Sequence, residues 1–216
     1  MALFITLEGI EGSGKTTQLR TLAERLRQRG MRVRTTREPG GCPIADAVRD
    51  ILLHPANSAL VPRAELLLYA AARAQHVDEV ILPALKGGET VLCDRFTDAT
   101  VAYQGHGRGL DMPLIAELNT LAAGDLVADL TLLLDMPAED GLRRARRRGA
   151  TTQGNREDRF EQESLEFHRR IREGYLAIAR REPRVRIVDA RGSEAEVAAR
   201  IDAAVNAFFE TTDRRS

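Results

Sequence analysis

The sequence predicts an α/β fold, a five-stranded parallel sheet with helices on both faces, and three observations carry that expectation. Five short apolar runs recur along the chain with helical periods between them. A glycine-rich stretch, Gly9-Ile10-Glu11-Gly12-Ser13-Gly14-Lys15-Thr16, separates the first apolar run from the first helical period. Charged pairs follow the second and third apolar runs, at the strand ends where open α/β sheets bind ligands.

Residues 3–7 (Leu-Phe-Ile-Thr-Leu) read as a buried strand, and residues 15–29 as a helix with Leu19, Leu22 and Leu26 on one face. Gly30 ends it. A short strand over 32–36 leads to the turn Arg37-Glu38-Pro39-Gly40-Gly41, then to a helix over about 44–53 that stops before Pro55. Residues 62–85 carry one long helical pattern through Leu66, Tyr69, Arg73, Val77 and Ile81, and Gly87-Gly88 turns into a third strand, Thr90 to Asp94. Helices are expected over 98–104 and 113–123, either side of a glycine-rich turn at 105–109. The fourth strand, 130–135, feeds a helix over 138–148, and the polar stretch 149–157 reads as a mobile loop. A helix over 159–181, a fifth strand over 185–189 and a helix over 194–209 complete the pattern, with a polar tail from 210.

The 216 residues suit a single domain, 1–216, with enough length for a well-buried core. Acidic and basic residues balance at a formal net charge of zero, so no global charge argues for a nucleic-acid or membrane partner. Cys42 and Cys93 belong to no ligand-like cluster and suggest no disulfide scaffold. The first apolar run is too short for a signal segment and no later run is long enough to span a bilayer, which leads us to expect a soluble, cytoplasmic protein.

The stretch Gly9 to Thr16 fills the pattern G-x-x-x-x-G-K-[ST] between a strand and a helix, the setting in which that pattern forms a phosphate-binding P-loop. Backbone N–H groups of Gly9, Ile10, Glu11, Gly12, Ser13 and Gly14 would converge on phosphate oxygens, with the positive end of the next helix behind them. Lys15 would reach the terminal phosphates of ATP, and the Thr16 hydroxyl would coordinate Mg2+. Asp94, ending an apolar strand, is the preferred second metal residue; Asp135 ends a run of the same form and is its rival. Asp94 is favoured because Arg95 follows it and offers a planar fork to a phosphate.

Seven arginines, at 143, 144, 146, 147, 148, 156 and 159, surround the polar loop. A solvated helix face, a nucleic-acid contact and a lid over about 143–159 all fit such a run. The lid is preferred because phosphoryl transfer needs positive charge at the transferring group and the exclusion of water. A GTP switch is not expected: the only lysines are Lys15 and Lys86, and the Asn-Lys-x-Asp guanine motif is absent. No apolar strand ends in the Asp-Glu pair typical of motor ATPases. A kinase acting on a small phosphorylated acceptor fits better, because such an acceptor needs arginine clamps more than a base.

The chain resembles the bacterial thymidylate kinase family. The matching segments are Glu8-Gly9 with the P-loop through Thr17, Arg37 to Gly41, Arg73 within Ala70 to His76, Asp94-Arg95-Phe96 with Ala102 to Gly105, and Asp158 to Glu163. The resemblance implies a P-loop kinase fold with a mobile lid, transfer of the ATP γ-phosphoryl group to dTMP with Mg2+, and a homodimer. It also implies that thymine stacks on Tyr69, that Arg73 bonds the base edge, and that Thr100 and Gln104 contact the base. Arg49 and Arg95 would clamp the acceptor phosphate beside Glu38, and Tyr103 would stand near the deoxyribose. The catalytic set it implies is Lys15, Arg95 and Arg159 with Glu11. The lack of a basic residue at Glu11 and the arginines near 147–159 resemble the subtype that supplies an arginine from the lid, with Arg159 the first choice. Another nucleoside monophosphate kinase and a non-catalytic ATP-binding module are the alternatives.

Overall fold

Strands β1 (Phe4–Glu8), β2 (Val33–Arg37), β3 (Thr90–Asp94), β4 (Leu130–Asp135) and β5 (Val185–Asp189) form one parallel sheet in the order β2-β3-β1-β4-β5. The computed structural model describes residues 2–151 and 159–213. Every residue of β1 is buried, as expected of the middle strand of a sheet covered on both faces, whereas β2 and β5 at the edges are partly exposed.

The strand period sorts β1 into two cores. Ile5 and Leu7 pack with Leu19, Leu22 and Leu26 of helix α1 (Lys15–Gln28), the face the helical period picks out. Phe4 points to the other side, among Val77, Ile81, Val91 and Phe96.

The chain leaves β1 toward β2 and leaves β3 toward β4, so the connections of two neighbouring strands diverge. Such a switch point opens a crevice beyond the strand ends. Register Leu7↔Asp94 places the loop after β1 beside the loop after β3. Helices α2 (Pro43–Leu53) and α3 (Pro62–His76) wall the crevice on the β2 side.

Three expected elements differ in form. The single helix expected over 62–85 is divided: a π-helical turn, Val77–Ile81, links α3 to α4 (Leu82–Lys86). Pro83 lacks an N–H, and its ring cannot follow a regular α-helical ladder, so the wider turn before it absorbs the mismatch. The helix expected over 98–104 is a short α5 (Thr97–Thr100) continuing as a π-helical segment, Val101–Gly107. It takes up part of the expected glycine turn. The helix expected from 159 begins later, as α8 (Leu165–Arg181), because Ser164 caps it by accepting the N–H of Phe167 at 3.2 Å.

Helices α6 (Met112–Ala123), α7 (Ala138–Thr151) and α9 (Glu194–Asp213) complete the fold. The expected loop start at 149 is helical here, and residues 152–158 of the expected lid, with Arg156, lie outside the described residues. No helix among the described residues is long and apolar enough to cross a membrane.

Candidate active site

The loop after β1 takes a shape only glycine permits at two of its positions. Gly9 has φ +142°, and a Cβ there would stand 2.5 Å from the Leu134 carbonyl oxygen. At Gly12, φ is +72° and a Cβ would stand 2.0 Å from the Gly141 carbonyl oxygen. The loop therefore lies hard against β4 and α7, and α1 starts at Lys15 with its N-terminal end toward the crevice.

Lys15 is buried, and its ammonium donates to the carbonyls of Gly9 at 3.0 Å and Ile10 at 2.9 Å. Burial, and the positive charge of Arg95, bring its pKa down to about 8. An anion at the loop would favour the charged form and draw the ammonium outward.

One residue along, the Thr16 hydroxyl donates to Asp94 Oδ2 at 2.9 Å. The rival acid, Asp135, is held by Arg172 through two bonds of 2.7 and 2.9 Å. Thr16 and Asp94 offer hard oxygen donors of the kind Mg2+ takes alongside waters and phosphate oxygens. No group of three or more His, Cys, Asp and Glu side chains gathers as a metal cage among the described residues.

Arg95 is the hub of the site. Its backbone has φ +75°, a rare conformation for a side-chain-bearing residue. Two bonds hold that turn: Arg95 N–H to the Leu7 carbonyl at 3.0 Å, and Phe96 N–H to Glu8 Oε1 at 2.7 Å. Its guanidinium donates to the Gly9 carbonyl at 2.8 Å, the Tyr175 hydroxyl at 3.0 Å and Glu11 Oε1 at 3.0 Å, and lies over the Tyr103 ring.

Glu11 also accepts from the Tyr103 hydroxyl, and His168 Nδ1 lies 3.2 Å from its other oxygen. Burial alone would raise the pKa of Glu11, but the His168 bond and the charges of Arg95 and Lys15 outweigh it and hold the carboxyl well below the usual range. Glu8 behaves oppositely: burial, then the nearby Asp98, push it up to about 8.

On the α3 side, Arg73 is buried, and four of its five side-chain N–H groups are engaged. It donates to Glu38 at 2.8 Å, Asn119 at 2.7 Å, the Phe96 carbonyl at 3.1 Å and the Thr100 hydroxyl at 2.9 Å. Glu38 in turn meets His76 Nδ1 at 3.1 Å, and His76 Nε2 meets Thr36 at 2.6 Å, so the Arg-Glu-Pro segment is tied to α3. Arg49 donates to the Pro39 carbonyl at 2.8 Å. Tyr69 tilts toward Phe160 with ring centroids 6.5 Å apart, and Gln104 donates to Glu65 at 2.7 Å.

These groups face one cleft of about 540 Å3. Glu11, Gly12, Gly14, Lys15 and Thr16 line it from the loop, and Asp94 and Arg95 from the end of β3. Glu38, Arg49, Tyr69, Arg73, Thr100, Tyr103 and Gln104 complete the walls. Gly9, Ile10 and Ser13 form the loop behind.

Arg159 is placed elsewhere. It does not line the cleft; its Nε donates to the Leu52 carbonyl at 2.9 Å, its N–H to the Leu53 carbonyl at 3.1 Å, and its Nη2 pairs with Glu65 at 2.7 Å. In this conformation it anchors its segment to α2 and α3. Of the other arginines in the expected lid, Arg143 pairs with Asp140 and Arg144 donates to the Ala190 carbonyl at 3.3 Å.

Sequence reasoning missed Glu8, Glu65, His168 and Tyr175. Tyr175 donates to Glu8 at 2.7 Å and accepts from Arg95. A glutamate ending an apolar strand, and a His and Tyr seven residues apart on one helix face, were the available signals.

Comparison with known proteins identifies the family. The family model described as thymidylate kinase matches residues 7–201. A Syntrophotalea carbinolica protein named thymidylate kinase is 63% identical over 202 residues, covering 93% of this chain and 94% of that one. A Geobacter sulfurreducens protein of the same name is 61% identical over 208 residues, covering 95% and 98%. The crystal structure of thymidylate kinase from Ehrlichia chaffeensis superposes with a TM-score of 0.76 at 33% identity, covering 94% of this chain and 98% of that one. On the family match and these identities, the chain belongs to the thymidylate kinase family.

Proposed function

We propose that this protein transfers the γ-phosphoryl group of ATP to dTMP, giving dTDP and ADP. The observation that carries the reading is that the P-loop and walls bearing Arg49 and Arg73 line one cleft, with Arg95 bonded to Glu11 of the loop at 3.0 Å. In the reaction a dTMP phosphate oxygen bonds to the γ-phosphorus while the bond to the β–γ bridging oxygen breaks, and ADP leaves with that oxygen.

The loop N–H groups and Lys15 hold the donor phosphates. Thr16 and Asp94 would hold Mg2+, which would offset negative charge on the phosphate oxygens. Arg95 and Arg49 hold the acceptor phosphate, and Glu11 keeps Arg95 at the junction of the two phosphates. Tyr69, Arg73, Thr100 and Gln104 receive the base, with Tyr103 beside the sugar. Glu38 orients Arg73 and is not itself asked to take a proton.

A homodimer of the cytoplasm is part of the reading. Exposed apolar side chains concentrate on three adjacent helices: Ile44 and Ile51 on α2, Leu67 on α3, and Met112, Leu114 and Leu121 on α6. That face suits a second copy. Light scattering should return twice the chain mass, and a monomer at all concentrations would remove the dimer from the account.

The activity is tested by coupled ADP release with dTMP, dUMP, dCMP, GMP and AMP as acceptors. We expect dTMP to support the highest kcat/KM. Equal or better turnover of a purine monophosphate would favour another monophosphate kinase, and no turnover with any acceptor would favour an ATP-binding module.

A further inference from the structure

Gln104 lines the cleft, yet which end of its amide faces a ligand is decided outside the cleft. Its Nε2 donates to Glu65 Oε1 at 2.7 Å. Glu65 lies on α3, wholly buried, and two arginines converge on it. Arg108 donates through Nε at 3.3 Å and Nη2 at 3.2 Å, and Arg159 Nη2 stands 2.7 Å from Oε2. A carboxylate between two guanidiniums accepts hydrogen bonds and donates none.

An amide oxygen turned toward Glu65 would set two acceptors together in a buried place, so the amide must present nitrogen to Glu65. Only one orientation of the amide satisfies the carboxylate, and this fixes its polarity. The amide oxygen then remains for the cleft, where it accepts no hydrogen bond among the described residues. Four residues before Gln104, Thr100 accepts from Arg73, which lines the same wall and keeps one Nη1 N–H beyond its bond to Asn119. That wall therefore pairs a donor, Arg73, with an acceptor, Gln104.

We infer that Glu65, held by Arg108 and Arg159, is a specificity-determining positioning residue: it locks the Gln104 amide so that its oxygen meets the ligand, selecting a pyrimidine edge with a ring N–H beside a carbonyl. The inference rests on the proposed dTMP kinase reading. A cytosine edge carries a ring acceptor and an amino donor at those places, and it mismatches both protein groups. A buried wall that leaves such groups unpaired rejects the wrong edge far more strongly than a shape difference of one methyl group would. Arg159 acquires a role here through Glu65 and Gln104, without touching phosphate.

The test compares kcat/KM for dTMP and dCMP in the wild type, Glu65→Gln and Glu65→Asp, with thermal melting of each. Turnover of dTMP by the wild type tests the activity itself and stands apart from the variants. Glu65→Gln places a donor beside Gln104, allows its amide to turn, and should lower the dTMP:dCMP preference by about tenfold or more. Glu65→Asp keeps an acceptor-only partner and should keep the preference even where the rate falls. An unchanged preference in Glu65→Gln, or an equal loss in both variants, would overturn the inference. If Glu65→Gln does not fold, Gln104→Met decides the question: a collapse of the preference supports the inference, and a full preference overturns it.

Discussion

Arg95 and Glu11 meet at 3.0 Å across the cleft floor, joining the loop after β1 to the loop after β3. The two residues are 84 positions apart in the chain, and their bond ties the glycine-rich loop to the arginine at the end of β3. Glu11 holds its charge because Arg95, Lys15 and His168 surround it. Glu11→Gln keeps the shape and removes that charge. We expect kcat/KM to fall by about 10- to 100-fold with little change in ATP affinity. Steady-state kinetics with each substrate varied will measure this; an unaltered kcat/KM would sever the link between the two loops.

Lys15→Ala and Arg95→Ala each remove a cation from the path of the transferring group. Each should lower kcat/KM by the equivalent of about 3 kcal/mol. Isothermal titration separates the roles: Lys15→Ala should spare dTMP binding, whereas Arg95→Ala should weaken it. Near-normal rates in both variants would refute the assigned roles.

Arg159→Ala distinguishes an anchor from a catalytic group. Arg159 is 6% exposed and Glu65 is fully buried, so truncation leaves a buried carboxylate short of one partner. A stability loss of about 3–5 kcal/mol is expected, read by denaturant unfolding. A fall in kcat at unchanged stability would return Arg159 to the donor site.

Much of this site was legible because its residues are local in sequence. The P-loop, Asp94-Arg95 and Arg37-Glu38-Pro39 each lie within one strand end and its loop, so spacing and glycine placement suffice to find them. Asp94 was preferred to Asp135 because Arg95 follows it; the pairing of one with Thr16 and of the other with Arg172 is a further difference between two strands of the same form that spacing does not record. Glu8, Glu65, His168 and Tyr175 were hidden for a related reason. Their partners are remote, as in the Glu8–Tyr175 bond across 167 positions. A charge run near a polar loop suggests a lid role for Arg159, while its burial in this structure depends on Glu65 and on the carbonyls at the end of α2, which no local pattern records.

Glu8 should give stability a distinctive pH dependence. Its folded pKa is raised to about 8 from an ordinary value of 4.5, first by burial and then by Asp98. Between those values the folded state binds more protons than the unfolded state, so this group's contribution falls as pH rises from about 4.5 to about 8. Glu8→Gln carries no such proton. Unfolding free energies at pH 5, 7 and 8.5 should show the wild type losing on the order of a few kcal/mol relative to the variant as pH rises. Parallel profiles would mean that Glu8 stays ionised in the folded protein.

The central claim is that donor and acceptor phosphates meet in one cleft. Incubation with γ-labelled ATP and dTMP, followed by separation of the nucleotides, tests it most directly. Label is expected in dTDP, in step with ADP formation, with little in inorganic phosphate. Label released as inorganic phosphate at a rate indifferent to dTMP would contradict it.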